Sequence, residues 1–188
     1  MMRSTRLALA LALAVAIAGC GSAASATAAS TTTTPTTPPL SRNTHITLYS
    51  INSDGPRFQA IVTGAVGDHG QAVSVYPDGR IDPEHDSDLS LRLGRGSFLL
   101  SAAVLDKAVI NAFRHWPGDP ATCSGHISVT AAVPVVPGSG TGAYRGMTGG
   151  FTLTATVDEI DEKSGCTATG AFIAQVIVIT GQGTVRRG

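Results

Sequence analysis

The chain has 188 residues, with 13 basic and 13 acidic side chains and 43% hydrophobic residues. A net charge of zero excludes the broad basic field with which proteins attract nucleic acid, so we expect no nucleic-acid partner. Its length sets a limit of one ordinary domain once the N-terminal segments are set aside.

Residues 1–19 have the parts of an export signal. Arg3 and Arg6 precede a twelve-residue apolar run, 7–18, which is shorter than the about 20 residues of a membrane-spanning helix. The run ends in the letters IAGC, which resemble the lipobox of bacterial lipoproteins. The resemblance implies cleavage before Cys20, acylation of this cysteine, and a lipid anchor at the outer face of the cytoplasmic membrane or at the outer membrane. The alternative is an ordinary secretory signal that is cut after a later alanine.

Residues 20–41 are rich in Ser, Thr, Ala and Pro and carry no charged or aromatic side chain. Such a segment cannot bury enough apolar surface to offset the entropy lost on ordering. We interpret it as a lipidated tether, with an O-glycosylated stalk as the alternative. Residues 42–188 are then predicted to form one domain, and removal of the signal leaves 11 basic against 13 acidic residues.

The domain sequence alternates between apolar and polar residues in short runs separated by Gly, Pro and Asp, which predicts an all-β sandwich or barrel. The run from Phe172 to Ile179 is apolar on both faces except at Gln175, which predicts a wall covered outside or an interface. Residues 104–116 also fit a helix, but the barrel interpretation makes Ala108–His115 a strand. The other predicted strands are His45–Ile51, Phe58–Val66, Val73–Tyr76, Ser97–Leu105, Ile127–Val136 and Phe151–Asp158.

The stretch from Gly138 to Asp158, GSGTGAYRGMTGGFTLTATVD, raises the question of a phosphate-binding loop. A P-loop requires Gly-Lys-Ser/Thr and a following helix. Here the residues after Gly150 alternate with period two, as a strand does, and no such lysine is present. We therefore predict that the glycines provide tight backbone geometry at the start of a strand. They are Gly140, Gly142, Gly146 and Gly149.

Residues 140–151, GTGAYRGMTGGF, resemble the G-T-G-x-Y-x-G-x-x-G motif of the allene oxide cyclase barrel-like superfamily. Residues 88–98 and 119–129 are similar to two further segments of its secreted bacterial members. The resemblance spans roughly residues 45–185 and implies an eight-stranded, mostly antiparallel β-barrel. Plant cyclases and dirigent proteins of that superfamily use carboxylates, Tyr and Arg within the barrel. No residue of this chain is matched to them one by one, so no catalytic residue is assigned.

Cys123 and Cys166 form an even pair in a domain with an export signal, which favours a disulfide. The alternative is a zinc site, because Cys123 and His126 have C-x-x-H spacing, but zinc requires further ligands. We expect no metal and no cofactor.

Two other groups of residues are candidate sites. Carboxylates alternate at Asp82, Glu84, Asp86 and Asp88, which predicts a solvated acidic loop, with a weak calcium site as the alternative. In the glycine motif, Tyr144 and Arg145 are either ligand-binding residues at the rim of a barrel or, respectively, a packing ring with a surface hydroxyl and a solvated charge.

The five histidines lack the spacing of a zinc enzyme, and no nucleophile elbow occurs, so no catalysis is evident. Three hypotheses follow: a barrel that binds a hydrophobic small molecule or an envelope partner, an isomerase or cyclase acting on an apolar substrate, and a structural or adhesive module. An apolar cavity favours the first, converging polar groups favour the second, and a fully packed barrel favours the third. The sequence leaves the oligomeric state open.

Overall fold

Strands form most of the chain that the computed structural model describes, which is residues 42–51, 57–82, 88–115, 118–163, 166 and 172–188. Within these ranges there are eight strands, one α-helix and one 3-10 turn at Gly142–Tyr144. The strands are β1 (Arg42–Ile51), β2 (Arg57–Gly64), β3 (Asp68–Val75), β4 (Asp88–Leu93), β5 (Gly96–Ser101), β6 (Ser124–Pro134), β7 (Thr148–Asp161) and β8 (Phe172–Arg186), and the helix α1 is Ala103–Arg114.

All eight strands belong to one antiparallel sheet with the order β5-β4-β3-β2-β1-β8-β7-β6. The sheet curls until its two edges approach each other. Leu100 of β5 forms a bridge with Val135, just beyond β6, and the amide of Val136 donates to the carbonyl of Leu99 at 2.9 Å. The predicted all-β, eight-stranded antiparallel barrel-like fold is confirmed.

Two local predictions are wrong. Residues Ala108–His115 are not a strand, because α1 runs through them to Arg114, and the strand predicted at Ser97–Leu105 ends at Ser101. The eighth strand is instead β4, Asp88–Leu93, which forms a hairpin with β5 around Gly94 and Arg95. None of the helical residues described here forms a segment that could cross a bilayer.

The curled sheet has two ends with different contents. At the motif end lie the β2–β3 turn, the β4–β5 turn and the glycine motif, with Asp68, Arg95 and Tyr144. At the helix end lie α1, the start of β6 and the last residues of β7, with Glu159 and Asp161. This division follows from the antiparallel order of the strands, because alternate connections fall at opposite ends.

The core is densest towards the motif end. Tyr144 and Phe98 are fully buried there and meet edge to face, with ring centroids 5.5 Å apart. Met147 and Leu91 are also fully buried in the same cluster. On β8 the inward positions opposite Leu153 and Phe151 are Gly181 and Gly183, so these two large side chains lie across bare backbone.

Candidate functional site

A cavity of about 290 Å³ lies between α1 and the inner face of the sheet at the helix end. Its lining is mainly apolar and comes from the inward positions of five strands and from one face of the helix. Four lining residues are polar: Ser74, Asp88, Asp106 and Gln175. The apolar lining residues are Phe58, Leu89, Ala102, Leu105, Val109, Ile110, Phe113, Leu153, Ala155, Val157, Ile177 and Ile179.

The helix presents an apolar face to this cavity. Leu105, Val109 and Phe113 recur every four residues, which places them on one side of a helix. Leu105 is buried, whereas Val104 on the opposite side is exposed. The same spacing explains why a helix forms where the barrel interpretation predicted a strand. A strand would also turn Leu105, Val109 and Phe113 to one face, but it would turn the polar residues Lys107 and Asn111 to that same face, whereas in the helix both are exposed.

The inner wall becomes polar beyond the cavity. On β7 the inward row runs Leu153, Ala155, Val157 and then Glu159 and Asp161. These two carboxylates are 5% and 1% exposed. Opposite them on β8, Gln175 lines the cavity and donates a short hydrogen bond from Nε2 to Oε2 of Glu159. Gln175 therefore connects the apolar cavity to a buried pair of acidic groups.

The acidic pair is poorly satisfied. Neither carboxylate oxygen of Asp161 has a hydrogen-bond partner, although both are buried. Burial raises the pKa of Glu159, and the neighbouring carboxyl of Asp161 raises it further, against the lowering effect of the hydrogen bond from Gln175. Glu159 therefore holds its proton more readily than an exposed glutamate does.

The motif end holds a carboxylate in the opposite situation. Asp68 accepts hydrogen bonds from the amide of His69 at 2.8 Å, from the amide of Arg95 at 3.0 Å and from the hydroxyl of Tyr144. Burial alone would raise the pKa of Asp68, but these hydrogen bonds hold it well below its usual range. Burial and the bond to Asp68 also raise the pKa of Tyr144 to about 12.

Tyr144 and Arg145 do not line the cavity. The ring of Tyr144 is fully buried at the motif end, and its hydroxyl is bound to Asp68 rather than lying at the surface as the packing alternative proposed. The guanidinium of Arg187 covers the ring at 5.8 Å. Arg145 is exposed. The ligand-binding role suggested for this pair stays a prediction, and the cavity does not use it.

The glycine motif is folded against the barrel edge. The amide of Ala143 donates to the carbonyl of Arg95 at 2.9 Å, and the backbones lie so close that a Cβ on Gly142 would come within 2.4 Å of that carbonyl. A Cβ on Gly149 would come within 2.1 Å of the carbonyl of Thr184. Gly140 is similarly crowded by the carbonyl of Tyr144, and Gly146 has positive φ. Close backbone packing is therefore what the motif provides.

The remaining predicted site residues fall outside the cavity. Cys123 and Cys166 are joined as a disulfide with their Cα atoms 5.0 Å apart, as predicted. His126 pairs instead with Asp158, Nδ1 to Oδ1 at 2.6 Å, on the outer face. Across the described residues, no group of three or more His, Cys, Asp or Glu side chains is placed to hold a metal ion.

The acidic loop is only partly described. Glu84 and Asp86 lie outside the described residues, so the calcium alternative is not assessed there. Asp82 is fully buried and is therefore not part of a solvated loop, which corrects the prediction at that position. Asp88 begins β4 and lines the cavity.

Sequence reasoning missed the acidic pair at the end of β7. The alternation of burial that places Phe151 and Val157 inside continues to Glu159 and Asp161, although the apolar–polar alternation of the sequence ends at Val157. Extending the period by two steps would have placed both carboxylates in the interior. The predicted strand stopped at Asp158, so this consequence was not drawn.

Comparison of the chain with family models, with curated proteins and with solved structures finds no match. The similarity of the glycine motif to the allene oxide cyclase barrel-like superfamily therefore stays a resemblance in sequence.

Proposed function

We propose that this protein binds a hydrophobic small molecule in the cavity beneath α1. The observation that carries the proposal is the cavity itself: about 290 Å³ of space with twelve apolar lining residues and four polar ones. A space of this size and lining is typical of a small-ligand site. Binding there removes apolar ligand surface from water, which contributes about 25 cal/mol of binding free energy per Å² of that surface.

The same cavity argues against the two other hypotheses, a structural module and an isomerase. A structural or adhesive module was expected to have a fully packed barrel, and here a large void lies next to a densely packed core. An isomerase needs groups that polarise or deprotonate its substrate, and the apolar majority of the lining favours binding over such chemistry. The position of α1 also supports binding. The helix packs on the sheet, and its residues Leu105, Val109 and Phe113 cover the cavity.

The binding proposal is tested by filling the cavity. Ala155 is buried, lies on the inward row of β7 and lines the space. We expect Ala155→Phe to abolish the fluorescence enhancement of N-phenyl-1-naphthylamine that the wild-type protein gives. Ala132→Phe is the matched control, because Ala132 is exposed on the neighbouring strand β6. Absence of probe binding by the wild-type protein, or equal binding by both variants, would refute the site.

We further propose that the protein acts at the bacterial cell envelope through a lipid on Cys20. The support is the charged N-terminus, the short apolar run and the lipobox-like IAGC ending at Cys20, which together are typical of a lipoprotein signal. Cys20→Ser should yield an unprocessed or mislocalised precursor that does not incorporate a fatty-acid probe. Cys166→Ser is the control for loss of a cysteine, and normal labelling of the Cys20→Ser protein would refute the anchor.

A further inference from the structure

The two charged residues that line the cavity in the described part of the chain, Asp88 and Asp106, are both acidic. Glu159 and Asp161 follow on the inward row of β7, beyond the lining residue Val157. Among the described residues, the lining contains no Lys, Arg or His. An apolar site with only negative groups along its polar side attracts cations and disfavours anions.

The Lys and Arg residues that the structure describes at this end lie on the surface. Arg57, Lys107, Arg114 and Lys163 all occupy exposed positions.

Asp161 is the second, independent indication of a ligand. It is 1% exposed, and both of its oxygens lack a hydrogen-bond partner. Burying a carboxylate without hydrogen-bond partners costs free energy of folding. A native protein retains such a group where it has a role, and here a bound ligand would supply the missing partners. Asp161 lies two residues beyond Glu159 on the inward row of β7, past the residues that line the cavity.

We infer that the cavity takes an amphiphile with a positively charged amine, whose apolar chain lies under α1 and whose ammonium group hydrogen-bonds to Glu159 and Asp161. An ammonium carries three donors, enough for both unsatisfied oxygens of Asp161 and one of Glu159. Gln175, which bonds Glu159 and lines the cavity, holds the acidic pair next to the apolar chain. This inference rests on the proposed binding function and specifies its ligand class.

The test compares three ligands that share one apolar chain: decylamine, decanol and decanoate. Affinities are measured on the purified full-length protein by displacement of N-phenyl-1-naphthylamine near neutral pH and below the micellar concentration of each ligand. We expect decylamine to bind at least about tenfold more tightly than decanol, as charge-assisted hydrogen bonds confer, and decanoate to bind most weakly.

Variants identify the groups responsible. Asp161→Asn should remove the preference for decylamine over decanol, and Glu159→Gln should act in the same direction if the first variant folds poorly. Asp158→Asn is the matched control, because it removes one negative charge from an exposed, outward position on the same strand. It should leave the preference intact.

The outcomes separate the two proposals. Displacement by all three ligands with equal affinity would overturn the amine specificity and leave apolar binding standing. A preference that survives in both Asp161→Asn and Glu159→Gln would also overturn it. Failure of every ligand and of the fluorescent probe to bind would overturn the binding function and the inference together.

Discussion

The two ends of the barrel treat a buried carboxylate in opposite ways. At the motif end, Asp68 receives hydrogen bonds from Tyr144 and from the amides of His69 and Arg95, and its pKa is lowered. At the helix end, Asp161 receives none, and the pKa of its neighbour Glu159 is raised. Satisfied charges stabilise a fold, whereas unsatisfied ones are kept at sites of function at a cost in stability. We therefore interpret the motif end as structural, and the binding function that we propose assigns the ligand to the helix end.

The largest expected effect is loss of the buried ring at the motif end. Tyr144→Ala should lower the free energy of unfolding by about 3–5 kcal/mol, the range for removing a large buried aromatic side chain. Urea denaturation measures this. Tyr49→Ala is the control, because Tyr49 is 40% exposed on the outer face of β1. Similar losses for both tyrosines would remove the special status of the motif end.

A smaller loss is expected at the glycine motif. Gly149→Ala should lower the free energy of unfolding by about 2–3 kcal/mol, because the new Cβ meets the carbonyl of Thr184 and the residue has positive φ. Gly79→Ala isolates the φ contribution, since Gly79 also has positive φ but nothing within 4 Å of the added Cβ. We expect a loss of about 1 kcal/mol in the free energy of unfolding there.

The melting temperature of the wild-type protein should also be insensitive to ATP, whereas a rise in Tm with ATP would favour the phosphate-loop interpretation.

Tyr144 should make the free energy of unfolding depend on pH, by about 1–2 kcal/mol. Its pKa is raised to about 12 from the ordinary 10.0, so its contribution to stability is complete below pH 10 and is lost as the pH rises through 12. The stability difference between the wild-type protein and Tyr144→Phe should therefore shrink between pH 10 and pH 12. A constant difference across that window would show that the hydrogen bond to Asp68 does not hold the proton on Tyr144.

The sequence predicted the strands better than it predicted the site. Period-two alternation along β7 and the Gly- and Pro-rich connections are local signals, so strands and the all-β class could be read from them. The helix at 103–114 was ambiguous in the sequence, because the spacing of its main apolar residues fits both the helical and the strand period. Tyr144 and Asp68 are 76 residues apart, and no local pattern indicates such a long-range hydrogen bond.

The cavity itself could not be predicted for the same reason. It forms where residues of five strands meet α1, and its volume depends on the curl of the whole sheet. Only the acidic pair left a trace in the sequence, as an extension of the inward row to Glu159 and Asp161. Side-chain alternation identifies the face of a strand, but not the space that remains inside a barrel.

The most direct measurement is the change in free energy of unfolding for Asp68→Asn and Asp161→Asn in the same buffer at pH 7. Asp68→Asn should destabilise the protein by about 1–2 kcal/mol, because it weakens three hydrogen bonds to a charged acceptor. Asp161→Asn should stabilise it by up to about 1 kcal/mol, because the amide relieves the repulsion with Glu159 and can donate to it. Opposite signs are the expected result. Destabilisation of similar size by both substitutions would contradict the division of the barrel into a structural end and a binding end.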